Sequence, residues 1–394
     1  MTVDERLTAL STGGASPYPV YAELRSVDPV HWHAPTKTWY VTGHELVKTL
    51  LLRRDLSACP GDFVDHDRSW TAAELAVIDR AEEFFDSWMV FSDPPRQHRL
   101  RSAISADFTR KTAELWRVRA REIATGLVAC LPSGPADLCA RFAEPLAARL
   151  TCAVLGADET DTDLLRGWSA DLMGYLSTPS ADPEKAATAV RAVDDLRGYL
   201  ADVVLPGLGS REDGALTGLR SLDPDSATAL FTQLLTGGID PVASCLGTAL
   251  TEVLGAGERI RVDRGTVGAV VEEALRYDAP FHFVPRVTTT ELRAGERLLP
   301  AGARVVLVIA AANRDPAAHP DPDRFDPSRE TGPHLSFGHG GHYCLGAALA
   351  RVVVQEGLLA AVNWADTADP ALLEAVRTPS FGTTAWRRIA VGPR

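Results

Sequence analysis

Residues 337–351 read FGHGGHYCLGAALAR, and the reading of Cys344 decides the reading of the chain. Glycines at 338, 340 and 341 permit positive φ and a close approach of backbone to a flat ligand, while the run LGAALARVVVQEGLLAAV after the cysteine has the composition of a strong helix. Cys344 therefore stands at a helix start. Orphan N–H groups and the positive end of the macrodipole there favour a thiolate, the form that binds metal. Two plainer readings stand beside this one: a lone cysteine is more often a small buried apolar residue, and His339, His342 and Cys344 together suggest part of a zinc site. Zinc would still need a fourth ligand.

Upstream, LLTGGIDPVASCLGTALTEVL (234–254) has a stop signal in its middle and helical texture on both sides. Its apolar positions, from Phe231 through Leu235, Ile239, Val242, Leu246 and Leu250 to Val253, recur every three to four residues with no phase slip across Gly237 to Pro241. A loop would usually reset that phase. The competing reading makes Asp240 an N-cap and Pro241 the first residue of a second helix. Farther along, VVEEALRY (270–277) carries Glu273 and Arg276 three apart, a spacing that on most helices is a surface ion pair.

The chain has 394 residues, 45% hydrophobic and 23% charged, without an apolar run near the roughly 18 residues of a membrane span. The acidic N-terminus lacks the charged-then-apolar pattern of a signal peptide, so a cytoplasmic protein without membrane association is expected. A formal charge of −12 disfavours nucleic acid as a partner. The six cysteines are scattered, without CxxC or disulfide-like spacing. The pattern predicts a short helix after Pro17, strands near 30–32 and 38–42, and a helical stretch from about 94 to 255 broken at clusters such as Pro132 to Pro135. A helix near 265–277, strands near 283–290 and 304–309, and the long loop NRDPAAHPDPDRFDPSRETGP (313–333) follow. The class is mainly α with small β-sheets.

Phe337, Gly340, Cys344 and Gly346 place FxxGxxxCxG at this loop, which resembles the heme-binding loop of the cytochrome P450 family. Glu273 and Arg276 match that family's ExxR, and SDPPRQHRLRSAISADFT resembles the start of its C-helix. The resemblance covers essentially the whole chain and implies one P450 catalytic domain, 1–394. It implies heme b (iron protoporphyrin IX) with Cys344 as the proximal thiolate, Phe337 packed beside the sulfur, Gly338 in the loop turn, and Gly346 letting the helix pass under the porphyrin. His342, Arg286 and Arg101 fall at propionate-binding positions, Gln97 stands where the family has a histidine, and His98 is shifted by one. Glu273 and Arg276 would form a buried structural pair completed by a meander arginine, with Arg324 as the candidate.

GGID matches the helix over the heme, where Gly237 and Gly238 would leave room for substrate and O2 and Asp240 is the family's acid. The threonine that should follow is replaced by Pro241, which has neither a hydroxyl nor an N–H. A substrate group or ordered water then replaces the hydroxyl, or peroxide leaks, or the outcome is coupling, cyclisation or desaturation rather than oxygen insertion; retention of Asp240 favours the first. Phe281, His282 and Phe283, with Phe84, Phe85 and Trp88, give the substrate-side segments an aromatic look that fits either core or a large or aromatic substrate.

The resemblance implies a monooxygenase tailoring a small organic molecule in secondary metabolism, a monomer that receives electrons from NAD(P)H through a separate ferredoxin or flavodoxin with its reductase. Arg99, Arg101 and Arg351 are candidates for a docking patch. Alternatives are a coupling or peroxide-driven P450 enzyme and, from another class, a non-catalytic heme sensor or carrier.

Overall fold

The computed structural model describes residues 1–10, 16–59, 70–178, 181–208, 216–255, 260–330, 332–378 and 382–393. The chain divides into two compact units: 1–56 with 113–147 and 240–394, and 57–112 with 148–239. Helices dominate both.

In the first unit the expected opening is present, a helix Tyr18–Val27 and antiparallel strands Val30–His33 and Thr38–Val41, preceded by a helix Val3–Leu10 that the pattern does not announce. Thr38–Val41 runs parallel to Arg304–Val308, which in turn pairs antiparallel with Phe283–Thr288. Ala136–Asp137, Trp386–Pro393 and Pro370–Arg377 form a second small sheet. The same unit holds the helices Val267–Tyr277 and Ala347–Ala368, which pack on each other. The loop after residue 313 is an ordered series of turns, held by bonds such as Arg324 N–H to the Asp321 carbonyl at 3.1 Å.

The second unit is a helical assembly that includes Ala72–Asp86, Arg96–Ile104, Thr162–Leu176 and Pro183–Tyr199. Local chemistry sets its helix starts. Thr71 and Glu74 form a reciprocal capping box, and Asp182 caps a helix whose first residue is Pro183.

The long helix Pro224–Gly255 contains Pro241 in its interior, so the uninterrupted apolar phase, and not the cap reading, describes the fold. Phe231, Leu235, Ile239, Val242, Leu246, Leu250 and Val253 are all buried. Within the first unit the helices approach closely at Gly357, where a Cβ would lie 2.6 Å from Leu146 Cδ2 and 3.0 Å from Leu246 Cδ2. Helix propensity alone favours Gly357→Ala by roughly 0.5–1 kcal/mol, whereas overpacking costs typically about 1–3 kcal/mol. Gly357→Ala is therefore expected to lower the midpoint of chemical denaturation, and Gly357→Val to lower it further.

Candidate functional site

The glycines of the cysteine loop meet a real backbone demand: Gly338 and Gly340 have φ of 70° and 75°. The Gly338 N–H donates to the Leu335 carbonyl at 2.7 Å, a short turn Gly340–His342 follows, and the Cys344 N–H then donates to the Phe337 carbonyl at 2.8 Å. Cys344 lies two residues before Gly346, the N-cap of the helix Ala347–Ala368. It is half-exposed, unlike Cys139, Cys152 and Cys245. Burial raises the thiols of all three, that of Cys152 to about 11 and the other two further, which makes them packing residues.

Around Cys344 the apolar Phe337, Leu345 and Leu349 are only half-buried, and a Cβ on Gly346 would meet no atom within 4 Å. The same unit supplies Arg286, buried in strand Phe283–Thr288, and the half-buried His342. A half-exposed thiol bordered by apolar side chains, with cationic and N–H donors in the same unit, is a donor set for a flat apolar ring with acidic edges and a thiolate-binding iron. The residues therefore fit heme b. Among the described residues no group of three or more His, Cys, Asp or Glu could hold a metal, so the zinc reading finds no ligand set.

Behind the loop stands the ion pair. Glu273 and Arg276 are 5% and 2% exposed, and the guanidinium donates from Nε and Nη2 to the two carboxylate oxygens at 2.7 and 2.8 Å. Its remaining donors reach the carbonyls of Asn313, Pro322 and Arg324 at 3.0, 2.9 and 3.2 Å. Arg324 is thus not the arginine that completes the pair. Its side chain is exposed and only its carbonyl is used, while Arg329 brings Nε to 3.4 Å from Glu273 Oε1. Asn313 accepts from the Leu335 N–H and donates to Ser336, whose hydroxyl donates to the Leu275 carbonyl at 2.6 Å. These bonds tie the cysteine loop to the Glu–Arg helix.

Arg351 is committed to the same brace rather than to a docking surface. It donates to both oxygens of Glu272 at 2.6 and 2.8 Å and lies 4.4 Å over the Phe337 ring. Burial opposes ionisation of Glu272, but the bonds from Arg351 and His334 outweigh it and hold the carboxyl near 2.

Of the oxygen-side candidates, Asp240 and Pro241 are half-buried in the first unit's share of the long helix. Gly237 and Gly238 belong to the second unit, and they differ. A Cβ on Gly237 would meet nothing within 4 Å, but one on Gly238 would be 2.6 Å from Thr151 Oγ1, so Gly238 serves close packing rather than ligand space. In the second unit Arg101 is half-buried with no hydrogen-bond or ion-pair partner among the described residues, which suits a cation kept for a ligand. Gln97 is buried and His98 exposed, so the shifted histidine does not take the place of Gln97. Arg99 stays exposed, 3.9 Å from Asp223.

The aromatic candidates are mostly core. Trp88, 4% exposed, packs against Phe85 and Phe91, and Phe85 stacks on Tyr175. His282 is withdrawn from any ligand-lining role: its Nδ1 meets the Tyr21 hydroxyl at 3.2 Å and its Nε2 the Thr384 hydroxyl at 3.0 Å, both buried. Phe283 is half-buried against Tyr21 and Tyr40, and Phe281, 40% exposed, bridges to Thr383.

The sequence pattern described as Cytochrome P450 matches residues 264–361. The chain is 32% identical over 356 residues to Cytochrome P450 monooxygenase PikC of Streptomyces venezuelae, covering 86% of this chain and 81% of that one. It is also 32% identical over 352 residues to 6-deoxyerythronolide B hydroxylase of Saccharopolyspora erythraea, covering 85% of each. The solved structure of P450BioI in complex with hexadec-9Z-enoic acid ligated acyl carrier protein superposes with a TM-score of 0.84 at 26% identity, over 99% of this chain and 100% of that one.

Burial lowers the His282 ring to about 4, so the folded chain keeps it neutral where the unfolded chain, near the ordinary 6.5, binds a proton. Its stabilising contribution is complete above pH 6.5 and disappears as pH falls through 6.5 towards 4, by roughly 3 kcal/mol at most. Urea titrations across that window should show this loss in the wild type and a flatter profile in His282→Gln.

Proposed function

Because the chain belongs to the cytochrome P450 family, we propose that this monooxygenase is a heme-thiolate enzyme that oxidises a small organic molecule in a tailoring step of secondary metabolism. Support for the substrate class comes from the likeness to a hydroxylase of 6-deoxyerythronolide B. The observation that carries the chemistry is the loop geometry: a half-exposed Cys344 at a helix start, fixed through its N–H to the Phe337 carbonyl at 2.8 Å. Heme b, when bound, supplies the redox iron at which dioxygen is activated.

The chain's own residues do the rest. Cys344 would present the thiolate at the helix start, and Phe337, under the Arg351 guanidinium, would pack beside the sulfur. Arg286 and His342, both in the first unit, would hold a propionate, and Arg101 of the second unit stands at a propionate-binding position of the family. Asp240 holds the proton supply, and Pro241 leaves it without the neighbouring hydroxyl, so a water or a substrate group must bridge. The whole chain acts as one catalytic domain, with NAD(P)H electrons delivered by an external ferredoxin or flavodoxin and its reductase. Pro241 also supports a second reading, a coupling, desaturating or peroxide-driven oxidation in which oxygen insertion is not the outcome. Among the described residues no helix is long and apolar enough to cross a membrane.

Reduced protein treated with CO should show the red-shifted Soret band of a thiolate-ligated heme, and Cys344→Ala should abolish it. A wild type without that band would overturn the reading. A screen for compounds that shift the heme to high spin supplies the substrate. With it, product per NAD(P)H should rise sharply in the wild type, whereas Pro241→Thr should depend less on substrate for coupling. Poor coupling of the wild type with its true substrate would exclude a substitute donor.

A further inference from the structure

Ser244 is 3% exposed, and its hydroxyl has no hydrogen-bond partner among the described residues. On the same helix Thr251 shares this state, and the other four threonines do not. Thr228, Thr232 and Thr236 return their hydroxyls to backbone carbonyls about one turn back, and Thr248 donates to Asp278 and accepts from Trp386 Nε1, each at 3.2 Å. A buried hydroxyl left unpaired is costly, so Ser244 calls for a partner of another kind.

Its position indicates which. At about 100° per residue, Ser244 points in a direction between those of Asp240 and Pro241, one turn farther along the same helix. It is the i+4 neighbour of the acid and the i+3 neighbour of the proline, with Cβ separations of about 5–6 Å, a gap that one water spans with two hydrogen bonds. Pro241 offers that water neither a hydroxyl nor an N–H, and its missing N–H removes the donor expected by the carbonyl one turn back. A water bonded to Ser244 Oγ would find an acceptor in the Asp240 carboxylate.

We infer that Ser244 is a positioning residue of the oxygen-activating site: its hydroxyl holds the water that stands beside Asp240 in place of the side-chain hydroxyl Pro241 lacks. This rests on the proposed heme-thiolate reading and names the group that supplies the bridge. Ser244 does not touch the reacting atoms. It fixes the water through which a proton passes to or from the Asp240 carboxylate, one proton entering the water as another leaves.

The first test is the crystal structure of the heme-loaded protein and of its Ser244→Ala variant. A water within hydrogen-bond distance of Ser244 Oγ and the Asp240 carboxylate should be present in the wild type and absent from the variant. Absence from the wild type, or persistence in the variant, overturns the inference. The second test uses a saturating surrogate ferredoxin system without added organic substrate. One NAD(P)H reduces one dioxygen to peroxide and two reduce it to two waters, so the peroxide-to-water ratio reports proton delivery independently of electron supply. Ser244→Ala should raise this ratio about fivefold, the rate equivalent of one hydrogen bond, and Ser244→Thr should restore it. An unchanged ratio in Ser244→Ala overturns the inference. The CO-bound spectrum of each variant must stay thiolate-like, which separates failure of this inference from failure of the heme-thiolate reading.

Discussion

Arg276 uses all five of its guanidinium N–H donors inside the protein, two on Glu273 and three on the carbonyls of Asn313, Pro322 and Arg324. A cation at 2% exposure loses several kcal/mol of hydration, and only such complete pairing compensates it. The consequence reaches beyond one helix. Three of the acceptors are backbone atoms of the long loop after residue 312, so the loop must adopt its turns for the charge to be buried at all. Asn313 then fixes Leu335 and Ser336, immediately before Phe337, and the carbonyl of Phe337 fixes Cys344. The place of the thiol is therefore tied to the ion pair through this chain of hydrogen bonds.

This coupling explains which parts of the site the sequence discloses. Phe337, Gly340, Cys344, Glu273 and Arg276 sit at fixed spacings because each lies on, or directly beside, a regular element whose geometry fixes what it meets. Arg324 and Arg329 lie in the loop, where spacing carries no direction. The chain turns at Asp321 with φ of 47°, places the carbonyl of Arg324 inward and its side chain outward, and brings Arg329 back to Glu273. Arginine content predicts that some guanidinium completes the pair but not which. The same limit applies to His282: an aromatic run after a helix looks alike whether it lines a pocket or fills a core. The deciding neighbour, Tyr21, lies 261 residues away in sequence.

Glycine pairs raise a related ambiguity. Gly237 and Gly238 are equivalent as letters, yet adjacent residues of a helix point about 100° apart, so one faces open space and the other the side chain of Thr151. Only the phase of the flanking apolar residues could have separated them, and that phase is also what reveals the helix as unbroken.

Pro241 persists inside that helix because burial outweighs its local cost. A proline in a helix interior costs about 3 kcal/mol or more, while each fully buried large aliphatic or aromatic side chain contributes about 1.5–3 kcal/mol. Ile239, Val242, Leu246 and Leu250 are all buried on one continuous ridge, and breaking the helix at Pro241 would turn Ile239 and the apolar residues before it out of register with the three that follow. The helix is therefore held straight through in phase while its hydrogen bonding is interrupted at one point. An interruption of that kind lies next to the half-buried Asp240 and about one turn from the buried Ser244 hydroxyl, which has no partner among the described residues. A buried hydroxyl without a protein partner is costly, so on the proposed reading the helix that lacks a hydroxyl at residue 241 keeps a demand for water one turn away, at Ser244.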